Sequence, residues 1–230
     1  MAAPFKIYGT NAFRTVLLGS LPAFERAHGL ATAVEFGATN HTLARMRAGD
    51  TADLVFATEG ALTALAQEGR IVAHTITVLA TSGVGACVLA GQPKPDISTV
   101  EALKQTLLNA KSIAHSKAGQ SGIHMAQVIE QLGIGQAVRS KLIINASGLV
   151  AERVVSGDVE LGFQQISELM AVKGVDIIGP LPDAVQLKTI VAVGVGTGSA
   201  YAAQAQALIR ELASPALNDA KRAAGLMPAG

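Results

Sequence analysis

The sequence predicts an α/β fold made of two wound lobes joined by a two-strand hinge. Short β-rich runs alternate with helical stretches along all 230 residues, which is the pattern of a wound α/β sheet. Half of the residues are apolar and 15% are charged, so a substantial core can form and disorder is not expected. The length suits two lobes of about 100 residues each.

Three strand–helix units are expected in the first 70 residues. Apolar side chains at i, i+3 and i+4 (Phe13, Val16 and Leu17) mark the buried face of the first helix. We expect Pro22 to restart this helix, because Ser20 can cap it and proline suits a first turn. The strands of these units are predicted at residues 5–8, 32–36 and 52–56.

The rest of the chain continues the alternation. Residues 76–89 are β-rich, and we expect an interruption at Ser82-Gly83. Helices are predicted after residue 98, after the glycine-rich turn at residues 117–122, at residues 150–155 and from residue 200 onward. Further strands are predicted at residues 112–115, 141–145, 159–163 and 189–195, and residues 179–182 form a rigid turn.

The strands near residues 76–89 and 189–195 are the expected crossings between the lobes. Lobe 1 then comprises residues 1–80 plus 196–230, and lobe 2 comprises residues 81–195. A discontinuous first lobe joined by two strands is typical of a hinged clamp. We therefore expect a ligand cleft between the two lobes.

Composition excludes several classes of function. The net charge is +1 and the basic residues are scattered, whereas a nucleic-acid binder concentrates them. Cys87 is the only cysteine, which excludes an intrachain disulfide, and its apolar surroundings predict a buried thiol. The sequence shows no apolar run of membrane-spanning length, about 18 residues, and no metal-ligand spacing or phosphate loop. We expect neither a metal nor a cofactor.

The start of the sequence bears on location. Met1-Ala-Ala-Pro4 leads at once into a predicted strand, without the apolar segment of a secretory signal. We expect a periplasmic protein whose signal peptide has been removed, and a cytoplasmic protein is the alternative.

Three strand-to-helix turns share one chemistry. Hydroxyls, amides and backbone N–H groups at a helix start can bind an anion, although the same residue types also serve simply as helix caps. Ligands of wound α/β sheets bind at such turns, beyond the carboxyl ends of the strands. The three turns are Thr10-Asn11, Thr39-Asn40-His41-Thr42 and Gly119-Gln120-Ser121-Gly122.

A family resemblance follows from motifs spread over nearly the whole chain. Residues 36–45 (FGATNHTLAR) and 48–54 (AGDTADL) resemble the segment after the second strand of molybdate-binding periplasmic proteins. Residues 95–98, 121–124, 156–157, 161–168, 179–182 and 224–226 continue the resemblance in order. The resemblance implies the type-II periplasmic-binding-protein fold.

The positions at which the chain departs from these proteins predict a ligand other than molybdate. In molybdate binders, serine side chains and backbone N–H groups of these loops hold the oxyanion. This chain instead has Thr10-Asn11 with Arg14 beyond, His41 in place of a serine, and Gln164-Gln165 where a tyrosine is common. Amides, imidazoles and a guanidinium suit a carboxylate, so we expect a di- or tricarboxylate, with molybdate or tungstate as the less favoured alternative. The expected ligand-binding residues are Thr10, Asn11, Arg14, Thr39, Asn40, His41, Ser121, Gly122, His124, Ser147, Gln164 and Gln165.

The sequence favours binding of a small anion, and catalysis on the same fold is the alternative. The first is a solute-binding protein, expected to be monomeric, that delivers its ligand to an ABC-type membrane transporter. The second is an isomerase, because proteins resembling this chain include enzymes that shift a proton within aconitate. If the chain is an enzyme, His41, His124 and Glu168 are the catalytic candidates. For Glu168, a capping or surface role is the alternative, and for the histidines an ordinary loop position.

Overall fold

The computed structural model describes residues 3–229, and within them the chain divides after Thr81 and again after Thr189. Residues 82–189 form one unit, called unit 2, and the residues on both sides of it form unit 1. The second division lies earlier than the residue 195/196 boundary expected from sequence. Residues from Val191 onward pair with a strand of unit 1, which draws them into that unit.

Unit 1 is a wound α/β sheet flanked by helices. Its complete strands are β1 (Phe5–Thr10), β2 (Thr32–Gly37), β3 (Leu54–Thr58) and β10 (Met227–Pro228). It also contains residues 77–81 of strand β4 (Thr77–Leu89) and residues 190–195 of strand β9 (Lys188–Val195). Its helices are α1 (Arg14–His28), α2 (Thr39–Arg47), α3 (Glu59–Gln67), α9 (Ala202–Ala213) and α10 (Asn218–Ala223).

Unit 2 repeats the same plan within one continuous stretch of chain. Its complete strands are β5 (Ile113–Ser116), β6 (Leu142–Asn145), β7 (Leu161–Gln165) and β8 (Val175–Pro180). It also contains residues 82–89 of β4 and residues 188–189 of β9. Its helices are α4 (Val100–Asn109), α5 (Gln120–Gln131), α6 (Gly135–Val138), α7 (Val150–Val155) and α8 (Ile166–Leu169).

Parallel pairing sets the direction of the strands in each unit. In unit 1, β1 lies between β2 and β3 and is parallel to both, and Thr10 is opposite Gly37. In unit 2, β5 lies between β6 and β7 and is parallel to both, and Ser116 is opposite Asn145. Because parallel strands end at the same edge of a sheet, each unit gathers its strand-to-helix turns at one edge.

Helix α1 corrects one expectation. It runs without a break from Arg14 to His28, so the prediction that Pro22 restarts the helix is wrong. Val16, Leu17, Ser20, Leu21 and Phe24 are all buried along one face. This continuous buried face stabilises the helix enough to tolerate a proline that removes one backbone hydrogen bond.

Strand β4 corrects a second expectation. Ser82 and Gly83 lie inside a single 13-residue strand, so the predicted interruption is wrong. The Ser82 hydroxyl accepts a hydrogen bond from the Ser167 hydroxyl at 2.9 Å, which satisfies a polar group inside the strand.

Each unit has its own apolar core. Large buried side chains of unit 1 include Phe5, Phe13 and Phe56, and the rings of Phe13 and Phe56 stack with centroids 5.8 Å apart. In unit 2, Cys87 is fully buried, as predicted, and burial raises the pKa of its thiol to about 12. None of the helices in residues 3–229 combines the length and apolarity needed to cross a membrane.

Candidate functional site

The carboxyl edge of unit 1 brings two of the predicted turns together. Thr10 ends β1 and lies opposite Gly37, which ends β2. Asn11 begins a short 3-10 turn directly after Thr10, and Thr39, the first residue of α2, follows Gly37 closely. The sequence therefore folds so that the Thr10-Asn11 turn and the turn at residues 39–42 lie at one sheet edge.

Side-chain capping does not account for the three polar turns. The residues that precede their helical segments are Thr10, Ala38 and Gly119, and none of these accepts a side-chain hydrogen bond from its helix. By contrast, Thr58 caps α3 and Thr99 caps α4 through their hydroxyls. The chain thus uses threonine caps at other helices and leaves the three turns without them.

Arg14 lies at the start of α1 and is half-buried. Its guanidinium carbon is 4.4 Å from the centroid of the Phe36 ring. A cation stacked on an aromatic face is held in place while its N–H groups stay available for an anion. Arg14, one of the expected ligand-binding residues, therefore lies near the end of β2.

His41 lies in the first turn of α2 and its side chain is 58% exposed. Its Nε2 is 3.6 Å from Oε1 of Glu35, and Glu35 also bonds to Arg45. The Arg45 guanidinium, with a smaller effect from His41, lowers the pKa of Glu35. His41 therefore has a charged carboxylate beside it, in a position open to solvent. The sequence pattern gave no signal for Glu35.

The carboxyl edge of unit 2 brings together a second set of polar residues. Ser116, Asn145 and Gln165 end three neighbouring parallel strands. Ser121 is buried in the first turn of α5. Ser147 is exposed in the loop between β6 and α7. All of the predicted residues of this unit except His124 and Ser147 are buried.

Ser116 is a candidate that the sequence reasoning missed. The residue is 9% exposed, and its hydroxyl oxygen has no hydrogen-bond partner among residues 3–229. A Cβ atom at Gly119 would lie 2.7 Å from this oxygen, so Ser116 points at the start of α5. Its signal in the sequence is its place as the last strand residue before the glycine-rich turn. A buried hydroxyl without a partner is costly and marks a place where a ligand could bind.

His124 is tied to the backbone of its own unit. Its Nε2 lies 2.8 Å from the carbonyl oxygen of Val185. A carbonyl oxygen only accepts, so this nitrogen must carry a hydrogen and donate it. Nε2 is consequently engaged in a structural bond, and only Nδ1 could exchange a proton with a ligand.

Gln164, Gln165 and Glu168 form a buried polar cluster where β7 runs into α8. Oε1 of Gln164 accepts a hydrogen bond from the backbone N–H of Val150 at 2.8 Å. Oε1 of Gln165 has no partner within the described part of the chain.

Glu168 is 9% exposed, so the surface alternative for this residue is wrong. Burial raises the pKa of its carboxyl from 4.5 to about 7, and the neighbouring Gln165 backbone and Gln164 side chain oppose that rise. A carboxyl with such a pKa can both give and take a proton near neutral pH. Of the three catalytic candidates, Glu168 is the one that is buried.

Two wound α/β units, each with a polar strand-to-helix edge and joined by β4 and β9, define a solute-binding fold. Residues 5–227 match the family described as bacterial extracellular solute-binding protein. The chain belongs to this family.

The chain is similar to several known proteins. An aconitate isomerase from Pseudomonas sp. is 33% identical over 213 residues, which cover 90% of this chain and 81% of that protein. The periplasmic molybdate-binding protein of Azotobacter vinelandii has a TM-score of 0.79 at 18% identity, covering 98% of this chain and 100% of that one. The sulfate-binding protein SubI from Mycobacterium tuberculosis H37Rv has a TM-score of 0.74 at 16% identity, covering 99% and 87%. The predicted type-II periplasmic-binding-protein fold is confirmed.

The close approach of Ser116 to α5 generates a first prediction. A Cβ at Gly122 would lie 1.8 Å from the Ser116 carbonyl oxygen, whereas a Cβ at Gly60 would meet nothing within 4 Å. We expect Gly122→Ala to destabilise the protein by about 1–3 kcal/mol, because backbone must shift. Gly60→Ala, also in a helix, should be neutral or stabilise by up to about 1 kcal/mol. Urea unfolding of both variants measures the difference, and equal stabilities would contradict the packing described.

The raised pKa of Glu168 generates a second prediction. Between pH 4.5 and about 7 the folded state holds a proton that the unfolded state has released. The stabilisation is therefore fully present below pH 4.5 and is lost as the pH rises through 7. Relative to Glu168→Gln, we expect the unmodified protein to lose at most about 3 kcal/mol between pH 4.5 and 8. Urea unfolding across this range tests it, and parallel stability curves for the two proteins would contradict it.

Proposed function

We propose that this protein is an isomerase that shifts a proton within aconitate or a closely similar tricarboxylate. The observation that carries the proposal is Glu168, a buried carboxyl whose pKa is raised to about 7 at the carboxyl end of β7. The similarity to an aconitate isomerase supports it independently. Family membership alone does not decide for an enzyme, because function depends on the site.

The reaction needs one group that removes and returns a proton. Ionised Glu168 takes a proton from the methylene carbon of the substrate, and that C–H bond breaks. The electron pair is delocalised over the neighbouring double bond and carboxylate. Protonated Glu168 then delivers a proton to the former vinylic carbon, where the new C–H bond forms and the double bond has moved. No atom is gained or lost.

Negative charge that develops on the substrate has to be stabilised by hydrogen-bond donors. In unit 2 the candidates are the N-terminus of the 12-residue helix α5 and the hydroxyls of Ser116 and Ser121. In unit 1 the candidates are Arg14 and the polar turns that start at Thr10 and Thr39. We propose that a tricarboxylate uses donors of this kind, because it offers six acceptor oxygens.

Glu168 is preferred over the two histidines as the proton-transfer group. Nε2 of His124 is engaged with a backbone carbonyl. His41 is exposed to solvent, where water would compete for the proton and weaken its interactions with a substrate. We assign His41 a role as a hydrogen-bond donor to the ligand, whereas His124 has only Nδ1 left to contact it, because its Nε2–H is donated to Val185.

The second candidate function is that of a solute-binding protein for a di- or tricarboxylate. Membership of the extracellular solute-binding family favours it. In this case the ligand would pass to an ABC-type transporter, and we propose that the protein acts as a monomer in the periplasm. The same donors would serve, and Glu168 would then contribute only to ligand affinity.

Proton exchange distinguishes the two functions. We expect the protein, incubated with trans-aconitate in heavy water, to produce the cis isomer and to place deuterium in the methylene group. Glu168→Gln should lower the rate by at least about 100-fold, since it removes a general acid–base. NMR spectra recorded over time measure both products.

Glu101→Gln is the matched control, because Glu101 is an exposed glutamate of the same unit, and its rate should equal that of the unmodified protein. Tight binding of aconitate without isomerisation or exchange in the unmodified protein would reject the enzyme and leave the solute-binding function.

Ligand class is tested by thermal shift. Citrate, cis-aconitate and trans-aconitate should each raise the melting temperature more than molybdate, tungstate, sulfate or phosphate does. A ligand at a thousand times its Kd adds about 4 kcal/mol, or roughly 8–16 °C in a chain of this size. Shifts with molybdate and tungstate alone would overturn the carboxylate assignment.

Arg14→Ala and Ser121→Ala should each weaken binding roughly 10- to 150-fold by removing a charge-assisted bond.

A further inference from the structure

Arg14 is a half-buried cation that has no carboxylate partner within residues 3–229. The cations of the ion pairs in that part of the chain are Lys6, His41, Arg45, Arg47, Arg70, Arg153 and Arg222. An arginine side chain carries five N–H donors and no acceptor. A partly desolvated guanidinium without a carboxylate of the protein is therefore suited to binding an anion from outside.

A second arginine of unit 1 shows the contrasting arrangement. The guanidinium carbon of Arg45 lies 4.7 Å from the centroid of the Tyr8 ring, and the Arg45 side chain also pairs with Glu35 and Asp50. Arg14 rests on Phe36 in the same way, at 4.4 Å. Both arginines are thus stacked on an aromatic ring, but the N–H groups of Arg45 already serve carboxylates of the protein.

The ring that carries Arg14 is itself held by close packing. Phe36 lies opposite Gly9 in the parallel pairing of β1 and β2. A Cβ atom at Gly9 would lie 2.7 Å from the ring carbons Cδ1 and Cε1, a distance that real Cβ atoms essentially never show. The glycine therefore leaves the space that the ring occupies. Phe36 also packs against the apolar core of unit 1, which restricts movement of the ring.

Stacking on a fixed ring prepares the guanidinium for binding. An arginine side chain has several rotatable bonds, and ordering them when a ligand binds costs free energy. A guanidinium that lies over an aromatic face is ordered beforehand, while the N–H groups at its edge remain open to a carboxylate. The aromatic ring then improves affinity without contacting the ligand itself.

We propose that Phe36 is a positioning residue: its ring, packed against Gly9, holds the Arg14 guanidinium near the end of β2 for a carboxylate group of the ligand. This inference rests on the proposed function, in which Arg14 binds a carboxylate. The ligand-binding residues expected from sequence include neither Phe36 nor Gly9, so both residues gain a role in the site.

A double-mutant cycle separates positioning from general support of the fold. Calorimetry measures the affinity for trans-aconitate of the unmodified protein, Phe36→Leu, Arg14→Ala and the double variant. We expect Phe36→Leu to weaken binding about 3- to 30-fold, the range that one cation–π interaction spans. In the Arg14→Ala background the same change should alter affinity by less than about twofold, because no guanidinium is left to hold.

Two further variants serve as controls. Phe36→Tyr keeps an aromatic face under Arg14 and should bind trans-aconitate as the unmodified protein does. Phe24→Leu makes the same change in the same apolar core, roughly 15 Å further along α1 from Arg14. It should lower the melting temperature and leave the affinity for trans-aconitate unchanged.

NMR supplies a readout that needs no ligand. The Nε–H proton of Arg14, identified by its absence in Arg14→Ala, should be shifted upfield by the ring current of Phe36. This shift should be lost in Phe36→Leu and kept in Phe36→Tyr. If Phe36→Leu fails to fold, Gly9→Ala takes its place, because the added methyl group displaces the ring. It should also weaken binding only when Arg14 is present.

Equal losses of affinity from Phe36→Leu with and without Arg14 would overturn the proposal, as would an unchanged affinity in folded Phe36→Leu. An Arg14 signal that the ring does not shift would overturn it without any ligand. If the unmodified protein binds molybdate and not trans-aconitate, the carboxylate ligand and the proposed function are rejected. The same cycle measured with molybdate then decides separately whether Phe36 positions Arg14.

Discussion

Parallel pairing of β5 with β6 and β7 is the constraint on which the candidate chemistry of unit 2 depends. It ends three strands at one edge and brings Ser116, Asn145 and Gln165 together there. The same register places the starts of α5, α7 and α8 at that edge, because each helix follows one of these strands. Unit 1 obeys the same rule through β1 and β2. The polar turns are consequences of strand direction, and their chemistry depends on a few side chains.

Burial of Glu168 couples the proposed activity to stability. A carboxyl at the surface would ionise near pH 4 and would be a weak base at neutral pH. Moving it into unit 2 raises its pKa to about 7, which improves proton transfer but makes the ionised folded protein less stable. The neighbouring Gln165 backbone and Gln164 side chain, which lower the pKa of Glu168, partly offset this penalty. Such a conflict between stability and reactivity is common where proteins perform chemistry.

Much of the fold could be predicted from the sequence, because hydrophobic periodicity and glycine-marked turns reflect local physics. The predicted helix restart at Pro22 and the predicted strand interruption at Ser82-Gly83 are wrong. Burial of one face of α1 and the Ser82–Ser167 hydrogen bond outweigh the local conformational preferences of these residues. The polar turns could be located because they follow strands. The burial of Glu168, the bond of His124 to Val185 and the lack of a partner for the Ser116 hydroxyl within residues 3–229 could not be predicted, because each depends on the packed tertiary structure.

The bond between Gln164 and Val150 also bears on selectivity. A fully deprotonated inorganic oxyanion has only acceptor oxygens, so its binding depends on many N–H donors. A helix start offers the anion fewer donors when side chains of the protein already accept hydrogen bonds from its backbone N–H groups. Leu149 and Val150 at the start of α7 donate to Glu152 and Gln164, so the protein supplies its own acceptors there. For a trianion bound beside Glu168, as proposed, charge repulsion makes ionisation of that carboxyl costlier, so the donors that bind the ligand must offset this cost before Glu168 can act as the base.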